Sequence, residues 1–140
     1  MINSEQLLQH WISCQTPSDL RYDGYIEQGR LVANKYADWE LADVSIDEIL
    51  NYKDSALETS GPLVDKINRF LFNLRNVNDL PPVVLIPVDR TVKKPFIEHK
   101  YDNPSLKWEI ADGVHRVHLL ISLGLNKVTG YIPRGCVWAD

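Results

Sequence analysis

Apolar residues fall into short runs of two distinct periods along this chain. Leu7, Leu8, Trp11 and Ile12 recur at helical spacing, which predicts a first helix through Glu5–Ile12 with Ser4 as its cap. Asp23-Gly24 and Gln28-Gly29 read as turns, with Tyr25-Ile26 and Leu31-Val32 as short strand candidates between them. Asp43-Val44-Ser45-Ile46 alternates as a half-buried strand does, and Ser45 or Asp47 is placed to cap a turn of helix after it. Leu63, Ile67, Phe70, Leu71 and Leu74 predict the clearest helix, opened by Pro62. Pro81-Pro82 introduces a continuous apolar run, Val83–Ile86, of the kind seen in strands covered on both faces.

The stretch from Trp108 to Ile132 combines both periods. Trp108 and Ile110 alternate with Glu109, so the segment reads as a strand. Asp112-Gly113 is a turn signal, and Asp112 is a good N-cap. From Val114, apolar residues at 117, 120, 121 and 123 predict a helix that Gly124 stops, and Asn126–Ile132 predicts a closing strand. A strand, a glycine turn and a helix start leave several main-chain N–H groups without partners. With the helix dipole, those groups make an anion site. Arg116 lies in the first helical turn, where a cation is unfavourable, so either it meets an anion or it pairs with Asp112 or Glu109.

The sequence Asp112-Gly113-Val114-His115-Arg116, with the strand before it and Leu119–Val128 after it, resembles the signature of the ParB/sulfiredoxin superfamily. Val44–Ile49 is similar to that family's opening strand and acidic turn, and Pro81–Ile86 to its proline-initiated central strand. The resemblance covers roughly residues 41 to 133. It implies an α/β (α+β) fold, a small mixed sheet with flanking helices. Residues 1–40 form an embellishment, built into one compact domain with a family-like unit at 41–140. It further implies nucleotide binding, with ATP or CTP and Mg²⁺ carried by the nucleotide. Asp112, Gly113, Val114, His115 and Arg116 would form the phosphate site. His115 would hydrogen-bond a phosphate or shuttle a proton, and Asp47 or Glu48 would be the general base of a phosphotransferase or hydrolase. The resemblance also implies two alternatives: a metal-dependent nuclease, and a non-catalytic module that binds a regulatory or protein partner. Sulfiredoxin's own chemistry is disfavoured, because its reactive cysteine stands where this chain has Val114.

Composition narrows the choice. The chain has 140 residues, enough for one domain, and a net charge of −4. Residues 1–80 carry 7 basic and 13 acidic side chains, whereas residues 81–140 carry 8 and 6. The half with the proposed anion site is therefore the basic half, but the asymmetry is milder than the basic stripe of duplex-DNA binders. The spacing of Asp112, His115 and His118 is one a metal could use, yet no protein-only metal site is assigned. Cys14 and Cys136 form no CxxC pair. No apolar run is long enough to span a membrane and no signal-peptide pattern is seen, so a cytoplasmic location is expected. The long segment 87–105 precedes the key strand, and its basic residues Arg90, Lys93, Lys94 and Lys100 are candidates to close over a ligand. Lys66, Arg69 and Arg75 on the helix that Pro62 opens are further candidates for a phosphate contact.

Overall fold

The computed structural model describes residues 1–15, 23–50, 80–91 and 101–134. The helix expected over 63–75, the basic residues Lys93, Lys94 and Lys100, and the tail with Cys136 and Trp138 lie outside the described residues. Within them a mixed sheet of six strands runs β1 (Ile2–Asn3), β2 (Asp38–Ser45), β6 (Lys127–Pro133), β4 (Val83–Pro87), β5 (Trp108–Asp112) and β3 (Ile49–Leu50), in that spatial order. β6 pairs antiparallel with β2 and parallel with β4, and β5 pairs antiparallel with β4 and parallel with β3. The α+β class with a mixed sheet is the one expected.

Helices cover the two faces separately. Helices α1 (Ser4–Ser13) and α2 (Asp23–Lys35) lie on one face, where Leu7, Trp11, Ala33, Trp39 and Val84 form a buried cluster. Helix α3 (Val114–Ser122) lies on the other, and Val117 and Leu120 pack there against Val44, Ile49, Val83, Leu85, Trp108 and Val128. Consecutive residues Val83 and Val84 thus enter opposite cores, which is why the run Val83–Ile86 is apolar at every position.

Three local expectations need correcting. The cap of α1 is Asn3, whose side chain accepts from the Gln6 N–H while the Gln6 side chain accepts from the Asn3 N–H, a complete capping box. The short strands predicted around residues 25 and 31 are instead one helix, α2. Gly29 is not a turn: a Cβ there would sit 2.7 Å from the Trp11 ring, so the missing side chain lets α2 close on α1. Strand β2 starts at Asp38, before the expected residue 43, and runs through the proposed boundary at residue 40. β1 and the first two helices are therefore built onto the same sheet as the rest.

Candidate functional site

The strand–turn–helix at 108–124 is present as expected. β5 ends at Asp112, Gly113 follows with φ of 111°, and α3 starts at Val114. At that φ a side chain is strained, and a Cβ would approach Val83 Cγ1 to 2.5 Å, so glycine is required twice over. Gly124, with φ of 76°, follows the end of α3 as its stop signal implied. In the sheet, Val84 faces Asp112 and Leu85 faces Ile110, so Ala111 is the extra residue of a bulge. Bulges bend a strand and re-aim its side chains, and this one delivers Asp112.

Asp112 is not the cap of α3. Gly113 holds the N-cap position, and no side chain bonds the first turn there. The Asp112 carboxylate turns to Arg116 instead, with Nη2 donating to Oδ2 at 3.0 Å, and its Oδ1 accepts from Gln15 Nε2 at 3.2 Å. Arg116 is 4% exposed. Its Nη1 donates to the carbonyl oxygens of Pro81 and Pro82 at 2.9 and 2.8 Å, and to Cys14 Sγ at 3.6 Å. The pairing of Arg116 with Asp112, one of the two roles open to it, is present. The prolines have no N–H, so they cannot extend the β4 ladder at 81 and 82, but their carbonyls are free to receive this guanidinium.

Arg116 reaches a site the sequence did not announce. His10 and Cys14 are one helical turn apart on α1, so they share a face. Cys14 Sγ lies 3.7 Å from His10 Nε2 and 4.0 Å from Nδ1. His10 Nε2 is also 2.7 Å from the Pro82 oxygen, and a carbonyl only accepts, so Nε2 donates. Burial favours the neutral thiol, but the His10 hydrogen bond and the nearby Arg116 charge outweigh it and lower the Cys14 pKa below the usual thiol value. Burial likewise pulls His10 down, yet the contacts with Cys14 and the Pro82 carbonyl leave its pKa raised. The five groups His10, Cys14, Gln15, Asp112 and Arg116 come from both ends of the described chain; the motif pointed to Asp112 and Arg116, and for the other three the only signal is the i,i+4 spacing of His10 and Cys14.

A cavity of about 550 Å³ opens beside this cluster. β4 meets β6 only from Gly130 onward, so Lys127, Val128 and Thr129 face a gap at the start of β4. Leu41, Leu80, Leu120 and Leu125 make it apolar, while Arg116, Asn126, Lys127 and Thr129 bring polar groups. Asp43, the one carboxylate among the described lining residues, accepts from Thr129 Oγ1 at 2.7 Å.

The other expected site residues are dispersed. Asp47 and Glu48 form a short 3₁₀ turn before β3, and Ile49 pairs with Trp108. They stand beyond the opposite end of β5 from Asp112, roughly 13 Å or more along the strand. His115 and Val114 are half-buried in the first turn of α3 but do not line the cavity. Arg90 donates to the carbonyls of Tyr101, Asn103 and Leu106, binding its own loop together. Among the described residues no group of three or more His, Cys, Asp and Glu is arranged to hold a metal, and no helix is long and apolar enough to cross a membrane. No protein-family model, curated protein or solved structure matches the chain.

Proposed function

We propose that the chain binds a small anionic ligand with an apolar part, and that a nucleotide is its class. The carrying observation is the cavity at the start of β6, whose volume falls in the range of small-molecule sites and whose lining divides between apolar side chains and a set of polar and charged ones, Asp43, Asn126, Lys127 and Thr129 among them. Lys127 and Asn126 would meet the phosphates, and Leu41 and Leu125 the base. The likeness of Asp112–Arg116 to the ParB/sulfiredoxin signature supports a phosphorylated ligand. In this proposal Arg116 braces the cavity wall rather than touching the ligand, since its donors already serve Asp112 and the proline carbonyls. Any phosphotransferase or hydrolase step would draw on Asp43 as base, the carboxylate that lines the cavity among the described residues.

Calorimetric titration with ATP, CTP, ADP and GTP in Mg²⁺ is the test. Saturable binding of at least one nucleotide is expected, weakened about tenfold by Lys127→Ala, since a charge-assisted contact contributes about 1.5–3 kcal/mol. Binding that Lys127→Ala leaves unchanged, or no binding of any of the four, overturns the assignment. Leu41 and Leu125, 54% and 43% exposed, favour a second use of the same mouth, docking an apolar segment of a protein partner. Leu125→Arg would abolish that contact while weakening nucleotide binding only modestly.

A further inference from the structure

The cluster around Cys14 has the makings of a reaction centre independent of the cavity ligand. We propose that Cys14 is a peroxide-reactive cysteine: its thiolate, held between the His10 imidazolium and the Arg116 guanidinium, reduces a small hydroperoxide and is itself converted to a sulfenic acid.

Charge balance permits the thiolate. Four ionisable groups meet here: His10 and Cys14 from α1, Asp112 from β5 and Arg116 from α3. With thiol and imidazole neutral, Arg116 and Asp112 cancel. With the proton moved from Cys14 to His10, two positive and two negative charges cancel again. The transfer therefore buries no net charge, which removes the main electrostatic cost of ionising a partly buried thiol. Because Nε2 already donates to the Pro82 oxygen, the mobile proton resides on Nδ1, 4.0 Å from the sulfur. Cys14 is the C-cap of α1, where the helix dipole opposes a thiolate, so the favourable charge comes from Arg116 and His10.

The surroundings select the substrate. Acyl transfer needs N–H donors aimed at a developing oxyanion. Among the described residues the N–H groups beside the sulfur are already spent, Cys14 N–H on the His10 and Trp11 oxygens and Gln15 N–H on the Ile12 oxygen, while the Pro82 oxygen is held by His10 and Arg116. What this site offers is two cationic side-chain donors beside a sulfur, which suits an electrophile whose leaving group departs as an oxyanion. Sγ attacks one peroxide oxygen, the S–O bond forms and the O–O bond breaks. The sulfur is oxidised by two electrons as the peroxide is reduced. The departing hydroxide or alkoxide, stabilised by Arg116 Nη1, takes the proton from His10 Nδ1 and leaves as water or alcohol.

The test uses the full chain carrying Cys136→Ser, so that one thiol remains. Alkylation by iodoacetamide is followed from pH 5 to 10, and dimedone trapping after addition of hydrogen peroxide is read by mass. Cys14 is expected to alkylate with an apparent midpoint clearly below the ordinary thiol value of about 8.5, and to yield the dimedone adduct. His10→Gln should raise the midpoint and slow alkylation at pH 6.5 about tenfold, with unchanged circular dichroism showing that the fold persists. Arg116→Lys should raise the midpoint further. An ordinary midpoint, a His10→Gln protein that titrates as wild type, or the absence of an adduct overturns the proposal. None of these results bears on nucleotide titration at Lys127, so the two assignments fail separately.

Discussion

Arg90 and Arg116 are two guanidiniums with one habit and different surroundings. Each spends its donors on main-chain carbonyls: Arg90 on those of Tyr101, Asn103 and Leu106, Arg116 on those of Pro81 and Pro82. Arg90 stays exposed, and the oxygens it binds are neutral and belong to its own loop. Arg116 is buried, and it adds a carboxylate and a sulfur from two other elements. A cation that closes a loop at the surface is a local fastening. A cation buried between a carboxylate and a thiol helps hold that thiol below its usual pKa, which is why the proposed chemistry is placed at 116 and not at 90.

Arg116→Ala tests that difference most severely. It leaves Asp112 buried and uncompensated, with side-chain exposures of 5% and 10% for the pair, so a loss of about 3–5 kcal/mol in urea unfolding is expected. Gly113→Ala comes next. It forces a side chain into left-handed backbone and against Val83, for an expected loss of about 1–3 kcal/mol, read as a lower urea midpoint. Arg90→Ala should cost about 1 kcal/mol or less, because water replaces its partners at an exposed site. An Arg90 variant as damaging as the Arg116 one would erase the contrast.

The smallest effect is in pH. The His10 pKa is raised on folding, so its contribution is fully present below its unfolded value of about 6.5 and is lost as pH climbs through the higher folded value. Cys14 is lowered, so its contribution is fully present above its unfolded value and is lost as pH falls through the lower folded one. Chemical unfolding of wild type and His10→Gln at pH 6 and pH 9 should therefore show a gap at pH 6 that narrows at pH 9. A gap that widens would contradict the sign of the His10 shift.

Much of this architecture was legible locally. The strand, the Gly113 hinge, α3 and its Gly124 stop follow from residues within a few positions of one another, and so does the buried run after Pro82. The first 40 residues were less readable, because Gly24 and Gly29 signal turns in isolation. Only the Trp11 ring, brought by α1, explains a glycine inside α2. The motif drew attention to Arg116 and gave its pairing with Asp112 as one of two outcomes. It did not foretell Cys14, His10 or Gln15, because a contact spanning a hundred residues leaves no period or spacing to detect. Asp47 and Glu48 illustrate the converse, since an acidic turn can match a pattern while the sheet sets it at the other end of β5 from Asp112.

One oxygen atom has an outsized mechanical role. The Pro82 carbonyl is gripped by His10 from one helical layer and by Arg116 from the other, at 2.7 and 2.8 Å. It is a rivet at the entry to β4, and because it belongs to the backbone no side-chain exchange deletes it. Losing either donor would leave the oxygen tied to one layer alone. The two helical layers are thus joined at a polar atom as well as through their separate apolar cores.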